Sequence, residues 1–194
     1  MARNFKKLIE TGESLLTQHS SDEKLLYLVG IAYDQFALQI GNDKEKKKFQ
    51  ICAMRYFRKM LAMDGHSAQA NRGLGLVALH QNKFRQALEY YKKAYAINPK
   101  DTSNFTSLGN TYRQMRKYSL ALMWYKKCFS HKELRALAYV NLAGLYQDIK
   151  KDTIAKQYAK KAIGELSGKR DAYSIMLRHR MQELINQKPL KVKI

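Results

Sequence analysis

The sequence predicts an all-α fold built of repeated helix pairs, and three observations carry that reading. A frame of 34 residues runs through most of the chain: Leu74-Gly75, Leu108-Gly109 and Leu142-Ala143 fall in line, with Ala78, Tyr112 and Tyr146 four residues after each Leu. The second half of the frame repeats as well, as Phe84, Tyr118 and Asp152, then Ala87, Ala121 and Ala155, then Tyr91, Tyr125 and Ala159, then Ala94, Cys128 and Ala162. Within each half the apolar positions recur at three- and four-residue spacing, the period of a helix with one buried face. Only two Pro occur in 194 residues, so long helices run unbroken.

A 34-residue period with large apolar, small and aromatic residues in one half, and small and aromatic residues in the other, resembles the tetratricopeptide repeat. The resemblance implies an α-solenoid: antiparallel helix hairpins stacked into a superhelix, each burying its apolar face on its neighbours. It implies function by class, the binding of other proteins, and no particular chemistry.

With Ala68 as the first position, regular repeats are expected over 68–101, 102–135 and 136–169. Upstream, Phe5, Leu8, Ile9, Leu15 and Leu16 align with Phe84, Ala87, Leu88, Ala94 and Tyr95, so 3–18 reads as the second helix of a repeat without its first. Residues 23–67 read as one elongated repeat. Val29-Gly30 matches Leu74-Gly75, and Ala53, Phe57 and Met60 match Ala87, Tyr91 and Ala94, yet Gly30 to Ala53 spans 23 residues against 12 from Gly75 to Ala87. Eleven additional residues are about three helical turns, enough to lengthen both helices while keeping their facing. Gly41 after Ile40, and Asn42 with Glu45 as a capping box, place the turn. The tip, 41–48, is expected to project and carries Lys44, Lys46, Lys47 and Lys48. In the last regular repeat Asp152 and Lys156 replace Phe84 and Leu88, which predicts a loosely packed second helix. Tyr173, Met176, Leu177, Met181, Leu184 and Ile185 then stripe a capping helix, 170–187, before a basic tail, 188–194.

Charge is the second strong signal. Lys and Arg number 36 against 16 Asp and Glu, a formal charge of +20, which calls for an anionic partner to be considered. Arg58-Lys59, Lys92-Lys93, Lys126-Lys127 and Lys160-Lys161 share one frame position, so stacked repeats would align them as basic ladders. Lys83, Arg116-Lys117 and Lys150-Lys151 recur at the hairpin turns. The ladders read either as a solvated face or as a surface for RNA or another polyanion. Tyr90, Trp124 and Tyr158, one residue before a core position, are expected to be more exposed and to flank that surface.

The resemblance implies a ligand groove lined by first-helix positions two, five, nine, twelve and thirteen. Arg72, Leu76, His80, Asn110, Arg113, Gln114 and Gln147 are the candidate groove residues: amides for a peptide backbone, Arg for a carboxylate or phosphate, Leu for apolar contact. A subclass of the family clamps acidic chaperone tails with a Lys/Asn/Asn/Lys/Arg set. The matching positions here are Arg72, Leu76, Ser107, Leu137 and Asn141, or in the other frame Tyr27, Ile31, Gly73, Ser103 and Ser107, of which only Arg72 suits, so such tails are not the expected partner.

No signal points to catalysis. The Gly73-Leu74-Gly75-Leu76-Val77-Ala78 run falls inside a predicted helix, not at the strand-to-helix turn that a dinucleotide fingerprint requires. The five His lack metal spacing, and no nucleophile elbow or phosphate loop is present, so no enzyme activity, cofactor or metal is expected. Cys52 and Cys128 make no disulfide framework, and Cys128 occupies the place of Ala94 and Ala162, a small buried position. Without an apolar run of membrane-spanning length or a secretory segment, a cytoplasmic location is expected. The oligomeric state is left open.

Overall fold

The computed structural model describes residues 2–187, with side chains from Asn4 onward, and the expected basic tail, 188–194, lies outside the described residues. The described residues are 82% helical and contain no strand. The helices are α1 (Ala2–Gln18), α2 (Glu23–Ala37), α3 (Asp43–Met63), α4 (Ala68–His80), α5 (Phe84–Ile97), α6 (Ser103–Gln114), α7 (Tyr118–Lys127), α8 (Arg135–Asp148), α9 (Asp152–Leu166) and α10 (Ala172–Asn186). The chain divides into two compact units, one ending at Asn104 and the other beginning at Phe105.

In the first unit, side-chain caps set the helix starts. Asp22 accepts from Leu25 N, Asn42 from Lys44 N and Glu45 N, and Ser67 from Ala70 N, each satisfying amides that the first turn leaves without a helical partner. The turn between α2 and α3 occupies 38–42, so residues 43–48 of the expected tip are the opening turns of α3. Glu13 ties α1 to the next hairpin: its Oε1 accepts the hydroxyls of both Tyr33 and Tyr56 at 2.7 Å. Burial, reinforced by the Glu13 hydrogen bond, pushes the Tyr56 hydroxyl up to about 12. Leu26, Val29, Phe57, Met60, Leu74 and Val77 make the core, all essentially inaccessible to solvent. Phe57 fits between two glycines, since a methyl built on Gly30 or Gly73 would lie 2.6 or 2.5 Å from its ring. Tyr91 repeats the contact on Gly75 at 2.8 Å.

The second unit carries the same contact once more, with Tyr125 against Gly109 at 2.4 Å. In the following hairpin the ring is replaced by Ala159 and the glycine by Ala143, and both are fully buried. The expected loose packing of α9 does not occur: Ala155, Ala159, Ala162 and Leu166 are buried with Leu177, Met181 and Leu184 of α10. Asp152 sits in the first turn of α9, where a carboxylate favours the helix dipole, and Lys156 turns outward to donate to the Gln187 carbonyl at 2.6 Å. The irregular place is one repeat earlier. There α7 is only ten residues long and gives way to 3-10 turns at Cys128–Ser130 and Lys132–Leu134, where Lys132-Glu133 stand in place of Asn98-Pro99. Trp124, expected to be exposed, is buried, with Phe105 6.2 Å away between ring centroids and Lys127 Nζ 4.3 Å above its ring.

Three helix ends close in one way. Asn82, Arg116 and Lys150 lie at one frame position with φ of 59°, 56° and 58°, in the left-handed region. The next amides, of Lys83, Lys117 and Lys151, reach back to the carbonyls of Ala78, Tyr112 and Tyr146 at 2.9, 2.9 and 2.8 Å, the six-residue bond of a Schellman turn.

Two stability predictions arise from this packing. Gly109→Ala removes a helix-interior glycine, a gain of about 1 kcal/mol at an exposed site, but here its methyl collides with Tyr125. The net effect should be a loss of about 1–2 kcal/mol in urea unfolding, because overpacking outweighs propensity. Burial pushes the Cys128 thiol up from about 9.0 to about 11. The folded state therefore holds this proton more tightly, a stabilisation complete below about pH 9 and lost as pH rises through 11. Urea midpoints measured from pH 8.5 to 11 should fall more steeply for the native chain than for Cys128→Ala.

Candidate partner-binding surface

The polar candidates on the first helices are held by partners within the chain. In the first unit, Arg72 Nη1 donates to Asp101 Oδ2 at 3.2 Å and to Ser103 Oγ, and its Nη2 donates to the Tyr27 hydroxyl at 3.0 Å. The guanidinium also lies 5.4 Å over the Tyr27 ring, so planar stacking and hydrogen bonds fix it together. His80 Nδ1 sits 2.8 Å from Oδ2 of Asp34, a carboxylate with no exposed surface. Leu76 is half-buried beside them.

In the second unit, Arg113 forks onto Asp148, with Nε 2.5 Å from Oδ2 and Nη2 3.2 Å from Oδ1. Burial alone lowers the affinity of this guanidinium for its proton, but the Asp148 hydrogen bond and charge outweigh it and leave its pKa raised. Asn110 Oδ1 accepts the Tyr125 hydroxyl at 2.7 Å, and burial pushes that phenol well above its ordinary pKa. Gln147 Nε2 donates to Gln187 Oε1 at 3.1 Å, and Gln114 is exposed. Arg72 and Arg113 thus each carry a carboxylate of their own chain, so these helix faces are closer to neutral than their Arg content suggests.

Asp34 and Asp148 hold groove positions without being among the candidates, and Asp101 lies outside those positions. The signal for two of them was present in the frame. Asp34 and Arg113 hold the twelfth position of their repeats, and His80 and Asp148 the thirteenth of the next, so the two pairs are one contact with the carboxylate on opposite sides.

The basic residues Arg58, Lys59, Lys92, Lys93, Lys126, Lys127, Lys160 and Lys161 are all exposed. The second member of three pairs lies over an aromatic ring three residues earlier: Lys93 over Tyr90 at 6.0 Å, Lys127 over Trp124 at 4.3 Å, Lys161 over Tyr158 at 5.5 Å. Among the described residues, no group of three or more His, Cys, Asp or Glu could hold a metal, and no helix is long and apolar enough to cross a membrane.

Two tetratricopeptide-repeat family models match the sequence, one over residues 68–101 and the other over 103–131. The chain carries tetratricopeptide repeats over residues 68–131. Its structure is similar to that of a tetratricopeptide repeat protein from Parabacteroides merdae, at 18% identity and a TM-score of 0.72; the likeness covers 92% of this chain and 65% of that one. It is similar to a thermophilic protein of the same repeat class from Thermus thermophilus, at 17% identity and a TM-score of 0.74, over 93% of this chain and 90% of that one. A third likeness is to PilW, a type IV pilus biogenesis factor, at 18% identity and a TM-score of 0.67, over 94% and 79%. At these identities the likenesses establish the fold. None of the curated proteins compared matches the sequence. Proteins of this repeat class generally mediate protein–protein interactions and are generally non-catalytic.

The Arg113–Asp148 fork is partly exposed, with side-chain accessibilities of 21% and 36%, and solvent screens it. A double-mutant cycle of Arg113→Ala and Asp148→Ala, read by urea unfolding, should give a coupling of about 0.5–1.5 kcal/mol.

Proposed function

We propose that the chain is a non-catalytic scaffold that binds an extended or helical segment of a partner protein on the first-helix faces of its repeats. The observation that carries this reading is the fixing of polar side chains there. Asp148 holds Arg113 in one rotamer, and Tyr125 takes one end of Asn110, leaving its amide N–H groups in a set direction. A partner meeting such groups loses little side-chain entropy on binding them. Leu76 adds apolar contact in the first unit, and exposed Gln114 adds a further amide in the second. The two free cysteines, Cys52 and buried Cys128, fit a reducing, cytoplasmic setting.

The test is site-specific photo-crosslinking in the native cell, with the photoreactive residue at Gln114 or at Lys126. Scaffolding predicts discrete protein adducts from Gln114 that persist after nuclease treatment, with yield falling several-fold in Arg113→Ala and Asn110→Ala backgrounds. Adducts from Lys126 alone that disappear with nuclease would reject it in favour of RNA on the basic residues.

A further inference from the structure

We propose that the first unit carries a second binding site, at the end of the α3 hairpin and bordering the first-helix face at His80, for an acidic side chain and an adjoining apolar side chain of a peptide. A cavity of about 430 Å³ lies between the opening turns of α3 and the turn joining α4 to α5. Its origin is the length of the first hairpin: α3 has 21 residues, whereas α4 and α5 have 13 and 14. The first turns of α3 overrun the end of α4, and the face they would have packed on a neighbour of equal length borders a hollow instead.

Gln50 marks this hollow as more than a gap. It lines the cavity, is only 2% exposed, and its Nε2 has no hydrogen-bond partner. A buried amide N–H without an acceptor is destabilising, so the position favours a ligand that brings one. The charge of the lining says which acceptor. Lys46, Lys47 and Lys83 border the cavity and form no ion pair among the described residues, against Asp43 as the carboxylate among the lining residues. His80 closes one wall, and Asp34 engages its Nδ1 and so fixes the ring. Three cations and a buried donor select an anionic acceptor. Met54 and Ile51, the latter 63% exposed, supply an apolar wall that a bare inorganic anion would leave unused. The volume lies in the range of small ligand pockets and accommodates a Glu beside a Leu.

This site deepens the scaffold reading only in supposing a peptide ligand, and it shares one residue, His80, with the first-helix set. The test is a nitrogen-15 NMR titration of the full chain with three probes: N-acetyl-Leu-Glu-amide, N-acetyl-Leu-Gln-amide and inorganic phosphate. The Glu peptide should shift the Gln50 side-chain amide and the Lys83 backbone amide saturably, with the Gln peptide weaker by about tenfold or more, a difference of about 1.4 kcal/mol. Gln50→Leu should weaken Glu-peptide binding about tenfold while raising Tm by about 2–6 °C, because an unpaired amide gives way to an apolar group of similar size. The exposed change Lys83→Glu should weaken binding as much without lowering Tm. Absence of saturation, equal binding of both peptides, or saturation by phosphate alone would overturn the proposal, as would Gln50→Leu that lowers Tm and leaves binding intact. Failure here leaves the Gln114 crosslinks unaffected, and failure of those crosslinks leaves the Gln50 shifts unaffected, so the two readings fail separately.

Discussion

The contact on which the hairpins depend is an aromatic ring laid against a helix that has no Cβ to meet it. Phe57 on Gly30 and Gly73, Tyr91 on Gly75 and Tyr125 on Gly109 bring second helices close enough that an added methyl would overlap ring carbons. Each ring is almost fully buried, so most of its surface leaves water at a single contact. Because interiors pack at near-crystalline density, distance and facing in a hairpin are then set together. Where the ring is lost, at Ala159, the residue in the glycine's place is Ala143, and both are fully buried. The pairing of large with absent and small with small occurs within one chain, as though the repeats were homologues of each other.

That constraint explains what was legible in the sequence. Gly75, Gly109, Tyr91 and Tyr125 stand in register at 34 residues, and the elongated first hairpin keeps Gly30 and Phe57 in register across its eleven inserted residues, so helix order and facing could be read without coordinates. Capping was legible for the same local reason: Asn42 with Glu45 announced the start of α3, where Asn42 takes the Glu45 amide at 3.1 Å. What local pattern could not show was the outcome of competition at longer range. Trp124 shares a frame position with half-buried Tyr90 and Tyr158 yet is buried, because Phe105 packs on it. The 3-10 turns after α7 had no counterpart in the repeat pattern, since Leu166-Ser167 also replaces Asn98-Pro99 and α9 ends without them.

The candidate surface was legible in position and not in charge. First-helix residues were identified one at a time, and a charged side chain read alone looks available to a ligand. Reading adjacent repeats together reverses that conclusion. Arg113 in the twelfth position meets Asp148 in the next thirteenth, 35 residues on; Asp34 and His80 make the same contact 46 residues apart, the offset lengthened by the insertion. The pairing converts would-be ligand cations into rigid walls. The uncharged side chains Asn110 and Gln114 are left as the candidates on these faces that hold no carboxylate.

The same insertion that leaves the ring contacts intact leaves one surface uncovered. A regular stack matches helix length to helix length, so each face finds a neighbour along its whole extent. An α3 about two turns too long for its neighbour must end either in solvent, with polar residues all round, or against a hollow. The sequence there is not polar all round: Gln50 is buried and Met54 half-buried, with Lys46 and Lys47 at the edge. If the hollow had no occupant, an apolar residue at Gln50 would serve the fold better than an amide whose Nε2 lacks a partner. An amide at that place is what a binding site requires and a core does not, which is the usual signature of stability given up for recognition.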